Sequence, residues 1–495
     1  MTESPLIVLA NRAPLSHKED GAGGYTIGRT ASGLVTAVEP LVASAQGAWI
    51  AHGEPADLAA TSPARDLRVS TAEGSYLLQY VPCPTREYAG FYNGFANEGL
   101  WPLCHDTPVA PVFRRADFIH YRSANRRFAR AVAESSTGLS PIVLVQDYHF
   151  ALAPAFIRRH RPAAAISTFW HIPWPSAHVF RTCPWAGELL TGLMQSDVIA
   201  LQTDRDCRHL LDAVVMLTDA SVDLARGLIH HRGHVIRVAA NPVGVSRENP
   251  ALDGLPATTE CRRSVLAAHG LAPDTHLIVG VDRMDYSKGI PEKFLALERL
   301  LERRADLRGR ITLLQVAEPS RATLPAYRAA RTAAAEVCDR LRVRFGNGSQ
   351  PPVLLLERHH DASEVYRLYR AADVCWVNSL DDGMNLVAKE FVAARDDNRG
   401  VLLLSERAGA SQQLTDALPV HPSAIERTAR TLERAIQMPI GEQAWRMRRM
   451  RQVVLSADSE RWARTLLDDV VRAVAERPEA PPATAWSSTV PVEAS

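Results

Sequence analysis

The chain has no surplus of either charge: 56 basic residues face 55 acidic ones, a formal net charge of +1 over 495 residues. General binders of nucleic acid or of anionic membranes carry a basic excess, so neither class fits. Long hydrophobic runs are missing too, and no apolar stretch approaches the ~20 residues that span a bilayer. Leu6 to Ala10 is too short for the core of a signal peptide, and Met1-Thr2-Glu3-Ser4 has no basic leader. Cysteine is sparse. Cys83, Cys104, Cys183, Cys207, Cys261, Cys338 and Cys375 form no C-x-x-C pair and are odd in number. That pattern implies reduced thiols in a cytoplasmic protein rather than a disulfide framework. The pairs His230-His231 and His359-His360 lack metal-ligand spacing. Neither a Walker-type phosphate loop nor a G-x-S-x-G elbow occurs. No metal and no other cofactor is expected.

What is present is a soluble-type composition, 46% hydrophobic and 22% charged, in a chain too long for one core. Two domains of about 200–250 residues are the natural division. Short apolar runs alternate with amphipathic segments. Leu6–Ala10, Pro141–Asp147, Ala165–His171 and Val198–Gln202 read as strands of a first series. Leu277–Val281, Ile311–Val316, Val353–Leu356, Val374–Val377 and Gly400–Leu404 form a second. Helical patterns such as Glu292–Arg303 and Ser363–Ala371 lie between. Repeated βα units predict parallel sheets covered on both faces. The fold class is therefore α/β, with two doubly wound, Rossmann-like domains facing a cleft at the carboxyl ends of their strands. The expected domains are 1–250 and 260–455, with Asn249–Thr259 as the linker. A last helix at about 456–475 carries Trp462 and Leu466-Leu467 and returns across the domains. The Pro-, Ala- and Ser-rich segment 477–495 reads as a disordered tail. No solenoid-type repeat is present.

Several clusters fall where strands end. Asp382-Gly383-Met384-Asn385-Leu386-Val387-Ala388-Lys389-Glu390 follows an apolar strand and opens a helix. Free N–H groups at a helix start favour an anion, Gly383 lets backbone approach a ligand, and Glu390 is placed to reach a ribose. An ordinary βα loop has the same local pattern. In Asp282–Ile290, Arg283 and Lys288 flank a turn and can both face a diphosphate; the alternative is a solvated charged loop. Arg12, after the first strand, is suited to a phosphate. Gly33, in the turn Ala31–Leu34, could offer backbone N–H groups. Asp147 is either a sugar-hydroxyl acceptor or a helix cap. His171, held between prolines in Trp170–Ser176, could bond a sugar hydroxyl.

Taken in order, these stretches resemble the trehalose-6-phosphate synthase family of retaining glycosyltransferases with the GT-B fold. The similarity rests on Asn11-Arg12, Tyr92-Asn93-Gly94-Phe95, Leu100-Trp101-Pro102, Asp147-Tyr148-His149, His171-Ile172-Pro173-Trp174-Pro175, Arg283–Gly289, Pro319-Ser320-Arg321 and Asp382–Glu390. It spans about 450 residues, all but the tail. It implies transfer of glucose from a nucleotide donor, UDP-glucose or GDP-glucose, to glucose 6-phosphate. Arg283 and Lys288 then correspond to the diphosphate ligands, with His171 on the donor sugar. Gly33 and the backbone of Asn385, Leu386 and Val387 would lie near the phosphates and glucosyl group. Asp382, Gly383 and Met384 correspond to contacts with the glucose hydroxyls, and Glu390 with the ribose. Arg12 and Arg321 correspond to the acceptor-phosphate clamp, and Tyr92, Trp101 and Asp147 to the acceptor-sugar contacts.

The chain departs from the family pattern at Ser32-Gly33 for Gly-Gly, at Ile50-Ala51-His52-Gly53 after Trp49, at Gln146 for His and at Asp381 for Arg. Arg358-His359-His360 also replaces a more apolar pattern in the expected base pocket. These leave open the base and the acceptor, glycerol 3-phosphate or a cyclitol phosphate included. A non-catalytic sugar-phosphate sensor and a pyridoxal-dependent phosphorylase-like enzyme are the competing readings. Oligomeric state stays open.

Overall fold

Runs of four apolar residues form the spine of two sheets. Leu6–Leu9, Val198–Leu201 and Val374–Val377 are buried throughout, as parallel strands covered on both faces must be. The computed structural model describes residues 4–21, 24–30, 33–62, 66–136, 140–246, 251–346 and 350–477.

The first sheet has ten strands. Seven run parallel, in the spatial order His234–Ala240, Val198–Leu201, Ala165–Phe169, Ile142–Gln146, Leu6–Leu9, Ala48–His52 and Ser75–Val81. Antiparallel strands Ser221–Asp223 and Leu228–His231 extend one edge, and Asp66–Ser70 the other. The order reverses at Leu6–Leu9, which pairs with Ala48–His52 on one side and Ile142–Gln146 on the other.

The second sheet is six-stranded and parallel throughout: Val353–Leu356, Ile311–Pro319, His276–Met284, Val374–Val377, Val401–Ser405, Leu418–Val420. Numbered from its own first strand, the order is 3-2-1-4-5-6, the doubly wound arrangement whose ligand crevice lies at the reversal. Register explains the crevice. His276–Met284 pairs with Ile311–Pro319 from His276↔Ile311 to Met284↔Pro319, but with Val374–Val377 only at Ile278 and Val279. Beyond Val279 these strands part, and the gap opens at their carboxyl ends.

Some elements differ from the sequence reading. The strand expected at Leu277–Val281 runs to Met284, so Arg283 lies on a strand and not on the turn. The strand before His171 ends at Phe169. Ser75–Val81 escapes a search for apolar runs because polar Ser75 and Gln79 interrupt it. Ala89–Leu100, rich in glycine, forms a π-helix and is shaped by tertiary packing. Its Phe91 and Phe95 lie against Tyr121 and Phe128 of the helix Arg115–Glu134. Of the expected linker, 249 and 250 lie outside the described residues, and the helix Thr258–Ala268 already begins within its end. Residues 478–495 lie outside them as well.

The chain crosses between the sheets twice. After the second sheet, the helix Ser459–Ala475 returns to the first. There Trp462, 2% exposed, packs edge-on against Phe169 at 5.0 Å, and its carbonyl accepts from Asn241 Nδ2 at 3.1 Å. Arg477 closes the helix end on Asp197 at 2.6 Å. One apolar cluster joins Val8, Leu277, Cys375, Trp462 and Leu466, so the two sheets share a core. Among the described residues, no helix is long and apolar enough to cross a membrane.

Trp462→Ala should destabilise the protein by about 3–5 kcal/mol, as expected for a buried tryptophan emptied to a cavity. Urea denaturation checks this; a loss under about 1 kcal/mol would mean that the returning helix is only loosely docked.

Candidate active site

The loop after Val374–Val377 is fixed from within. Asp382 accepts from Lys288 Nζ at 2.5 Å, and from Ser379 Oγ and Asn385 Nδ2 at 3.1 Å each. Burial raises the carboxyl, but Lys288 first and then Asn385 hold it below the ordinary carboxylate range. Asn385, at φ 75°, caps the helix Leu386–Ala394 by accepting from the Ala388 N–H at 3.1 Å. The cap leaves the N–H groups of Leu386 and Val387 without an intrahelical partner, as an anion cradle requires. From the other side, the N–H groups of Gly409 and Ala410 bond the carbonyls of Asp382 and Met384 at 3.0 and 2.8 Å. Gly383 leaves no room for a side chain without displacing backbone: a Cβ there would stand 2.1 Å from the His171 carbonyl oxygen, in the loop that follows Ala165–Phe169 of the first sheet.

Across the gap lies a cluster of cations around one buried carboxylate. Asp285 is 3.8 Å from Arg283 and 3.7 Å from Arg321. Burial pushes its carboxyl up; Arg283, Arg321 and Lys288 together bring it below the usual value. Arg321, its side chain only 7% exposed, donates to Tyr327 Oη at 2.5 Å and Tyr148 Oη at 3.3 Å. Its guanidinium lies 4.4 Å from the Trp101 ring centre, and that of Arg283 lies 5.4 Å from it. Cations over an indole face are favourable, the more so when water is excluded.

The first sheet supplies the facing wall. Asp147, at φ 75°, follows Ile142–Gln146 and accepts from the N–H groups of Tyr148 and His171 at 3.0 and 3.1 Å. Burial raises its carboxyl to about 6, against those hydrogen bonds and the pull of Arg321 and Arg283. His171 faces Gln146 Oε1 from Nε2 at 2.9 Å, and burial lowers its imidazole to about 3, so it is neutral. Tyr92, on the π-helix, stacks on Tyr88 and on His149. Burial raises its phenol, yet Arg321 and Arg12, with Arg283, bring it below the ordinary tyrosine value. Arg12 itself is exposed. Of the six non-glycine residues with positive φ among those described, three are Asp147, Arg321 and Asn385. Such strain persists where the surroundings over-determine the backbone, and it clusters at functional sites.

Glu390 lies deeper. Burial raises its carboxyl, which accepts from Tyr369 Oη at 3.1 Å. It lines a cavity of about 260 Å³ with Leu386, Val281, His360, Val365 and Thr36. Thr36 stands one turn into the helix Gly33–Ser44, so Gly33 opens a helix beside the same cavity. Ser32 lies outside the described residues.

The sequence-derived residues thus form three connected groups. Arg12, Tyr92, Trp101, Asp147, Arg283 and Arg321 surround one end of the gap. Lys288, Asp382, Gly383, Met384 and Asn385, with His171 opposite, form the middle. Glu390 and Leu386 line the far cavity with Thr36 of the helix that Gly33 opens, and Val387 packs against the apolar cluster that Leu386 also joins. Sequence reasoning missed Asp285, Tyr148, His149 and Tyr327. The first three were quoted within motifs, but nothing in their spacing marked Asp285 as the hub of three cations. Asp381, in place of the family's arginine, is buried and accepts from the Asp106 N–H at 3.1 Å. Among the described residues, no group of three or more His, Cys, Asp or Glu is arranged to hold a metal.

Residues 4–472 match the description of glycosyltransferase family 20. A trehalose-6-phosphate synthase of Mycobacterium avium is 34% identical, over 94% of this chain and 95% of that relative. An α,α-trehalose-phosphate synthase (UDP-forming) of Burkholderia xenovorans, solved in complex with glucose-6-phosphate, is 30% identical. It superposes with a TM-score of 0.82 over 94% of this chain and 100% of its own. An E. coli structure that carries UDP-2-fluoro glucose is 29% identical, with a TM-score of 0.81 over 94% and 99% of the two chains.

Asp147 accepts both N–H groups at one oxygen, Oδ1, and ionisation strengthens those bonds and its attraction to Arg321 and Arg283. A raised carboxyl is protonated first as pH falls, so kcat/KM should drop below about pH 6, and Asp147→Asn should flatten that limb. A pH–rate profile from 5 to 8 reads both. Gly383→Ala should force the two loops apart and lower turnover on the order of 10²-fold, the scale of a ~1 Å misplacement at a reacting centre.

Proposed function

Because the chain belongs to glycosyltransferase family 20, we propose that it moves glucose from a nucleoside diphosphate glucose to glucose 6-phosphate, releasing the diphosphate and α,α-trehalose 6-phosphate. Its near full-length similarity to synthases of that product supports this. The observation that carries it is chemical: Arg283, Lys288 and the capped helix start at Leu386 converge on the parted strand ends of the second sheet.

In this reading Arg283 and Lys288 take the charge that develops on the departing diphosphate, and the helix N–H groups receive its oxygens. Lys288 is held by Asp382, which in turn accepts from a glucose hydroxyl alongside the backbone of Gly383 and Met384. His171, neutral, bonds the donor sugar, and Glu390 the ribose. Arg12 and Arg321 clamp the acceptor's phosphate, with Tyr92, Trp101 and Asp147 on its sugar. Transfer with retention then needs no enzyme nucleophile: attack comes on the face the diphosphate leaves, and the leaving group accepts the acceptor's proton. Catalysis is positioning plus charge stabilisation, unlike the two-carboxylate scheme of glycoside hydrolases. We infer that rotation of the lobes about their two crossings closes the cleft on the donor. We assign the donor base to uracil or guanine, with His360 beside the Glu390 cavity, and the setting to the cytoplasm, since all seven cysteines are free. Another phosphorylated acceptor is the second reading, favoured by Gln146 and Asp381 close to the reacting centre.

A matrix of uridine, guanosine and adenosine diphosphoglucose against glucose 6-phosphate, glycerol 3-phosphate and a cyclitol phosphate tests the assignment. Nucleoside diphosphate should appear only with glucose 6-phosphate; release with glycerol 3-phosphate alone would replace the acceptor. Lys288→Ala should lower kcat about 10²–10³-fold, as loss of one such electrostatic contact does. Arg321→Ala should raise KM for the acceptor and leave that for the donor unchanged; the opposite pattern would exchange the two pockets.

A further inference from the structure

Lysine is rare here: among 56 basic residues only Lys18, Lys288, Lys293 and Lys389 are lysines. Lys18 is exposed, and the other three are buried in the second lobe. Lys288 is paired with Asp382 and Lys293 with Asp282, at 2.5 and 3.0 Å. Lys389, 2% exposed, differs: it makes no ion pair among the described residues, and its Nζ donates to the Val243 carbonyl at 2.5 Å. Burial alone lowers its amine to about 7. Val243 belongs to the first crossing between the lobes, just past His234–Ala240. That crossing is held on every side. The Val243 N–H donates to Gln202 Oε1 at 3.0 Å, and Asn241 Nδ2 to the Trp462 carbonyl at 3.1 Å. A Cβ on Gly244 would lie 2.1 Å from the Ala457 carbonyl oxygen of the second crossing. Gln202 Nε2 donates onward to the His171 carbonyl at 3.4 Å, the same oxygen that Gly383 abuts.

We propose that Lys389 is a positioning residue that couples the helix Leu386–Ala394 to the interlobe crossing and, through Val243 and Gln202, to His171. The contacts close a ring. The loop Asp382–Asn385 touches His171 directly, and the helix it opens reaches back to His171 by way of Lys389, Val243 and Gln202. A ligand that orders the helix start therefore also fixes the crossing, and a change at the crossing is felt at the donor loop. Lysine suits this post, because a compact ammonium on a flexible stem reaches a single carbonyl that a forked guanidinium fits poorly. The inference rests on the donor site proposed above.

The test is a double-mutant cycle with Lys389→Met and Gln202→Leu, which cut the ring at two points. Each should raise KM for the nucleotide sugar about tenfold, within the range of intramolecular couplings, with KM for the acceptor shifting less than about twofold. The double variant should be no worse than the poorer single, since both remove one pathway. Lys389→Arg, which keeps a donor, should recover part of the loss. Calorimetry with UDP and with GDP should show the same weakening without turnover. If no acceptor supports transfer but Lys389→Met still weakens UDP or GDP, the proposed reaction fails and the coupling stands. Multiplicative losses in the double variant, equal changes in both KM values, or unchanged nucleotide binding would overturn it. Should Lys389→Met not fold, Gln202→Leu and Lys389→Arg decide the same question.

Discussion

The structure depends on keeping several positive charges close together at the end of one sheet. Arg283, Lys288 and Arg321 all act on the single carboxylate of Asp285. Two like charges about 4 Å apart repel by roughly 4 kcal/mol in a partly buried setting, so such a group cannot stand unassisted. Asp285 and Asp382 neutralise part of it. The faces of Trp101, Tyr92 and Tyr327 take up more, all within 6 Å of the Arg321 guanidinium. The four cations Arg12, Arg283, Lys288 and Arg321 still outnumber the three carboxylates beside them, Asp285, Asp382 and Asp147, and that remainder suits the anionic substrates of the proposed reaction. The splayed strands, the capped helix, and the π-helix that carries Tyr92 and leads directly into Trp101 all serve to hold this imbalance in one place.

What the sequence revealed follows from how each feature is encoded. Parallel strands buried on both faces are written as apolar runs, so most of the two sheets could be read directly. The loop Asp382–Glu390 has a local pattern that an ordinary βα loop shares, so it was legible only together with the other strand-end clusters and the family resemblance they carry. Strands with mixed faces, such as Ser75–Val81, carry a weaker period, and the glycine-rich π-helix carries no helical one. Partnerships are harder still. Lys288 and Asp382 are 94 residues apart, and the aromatic cage of Arg321 draws on three separate segments. Lys389 stood in a quoted motif, but its partner is a backbone carbonyl, which no side-chain pattern announces.

Backbone strain and departures from the family pattern meet around the same cleft. Asp147, Arg321 and Asn385 hold positive φ angles in loops that follow strands of two different sheets. Each is locked by its own hydrogen bonds, so the strain is retained by the surroundings. Asp381 turns a position that is usually basic into part of a charge lattice: it meets the Asp106 N–H, while Arg407 reaches the Asp106 carboxylate at 2.7 Å. Gln146 supplies His171 with a neutral, non-titrating partner. The chain has altered the frame around the cations and kept the cations themselves.

The returning helix has a consequence for the order of assembly. The first lobe is synthesised first, yet the groove that takes Trp462 stays open until residues 459–475 leave the ribosome. A nascent chain that has not yet released this helix therefore carries an unfinished first lobe with exposed apolar surface, a state that invites chaperones or misassembly. The first lobe thus takes its closing helix from a segment that follows the whole of the second sheet.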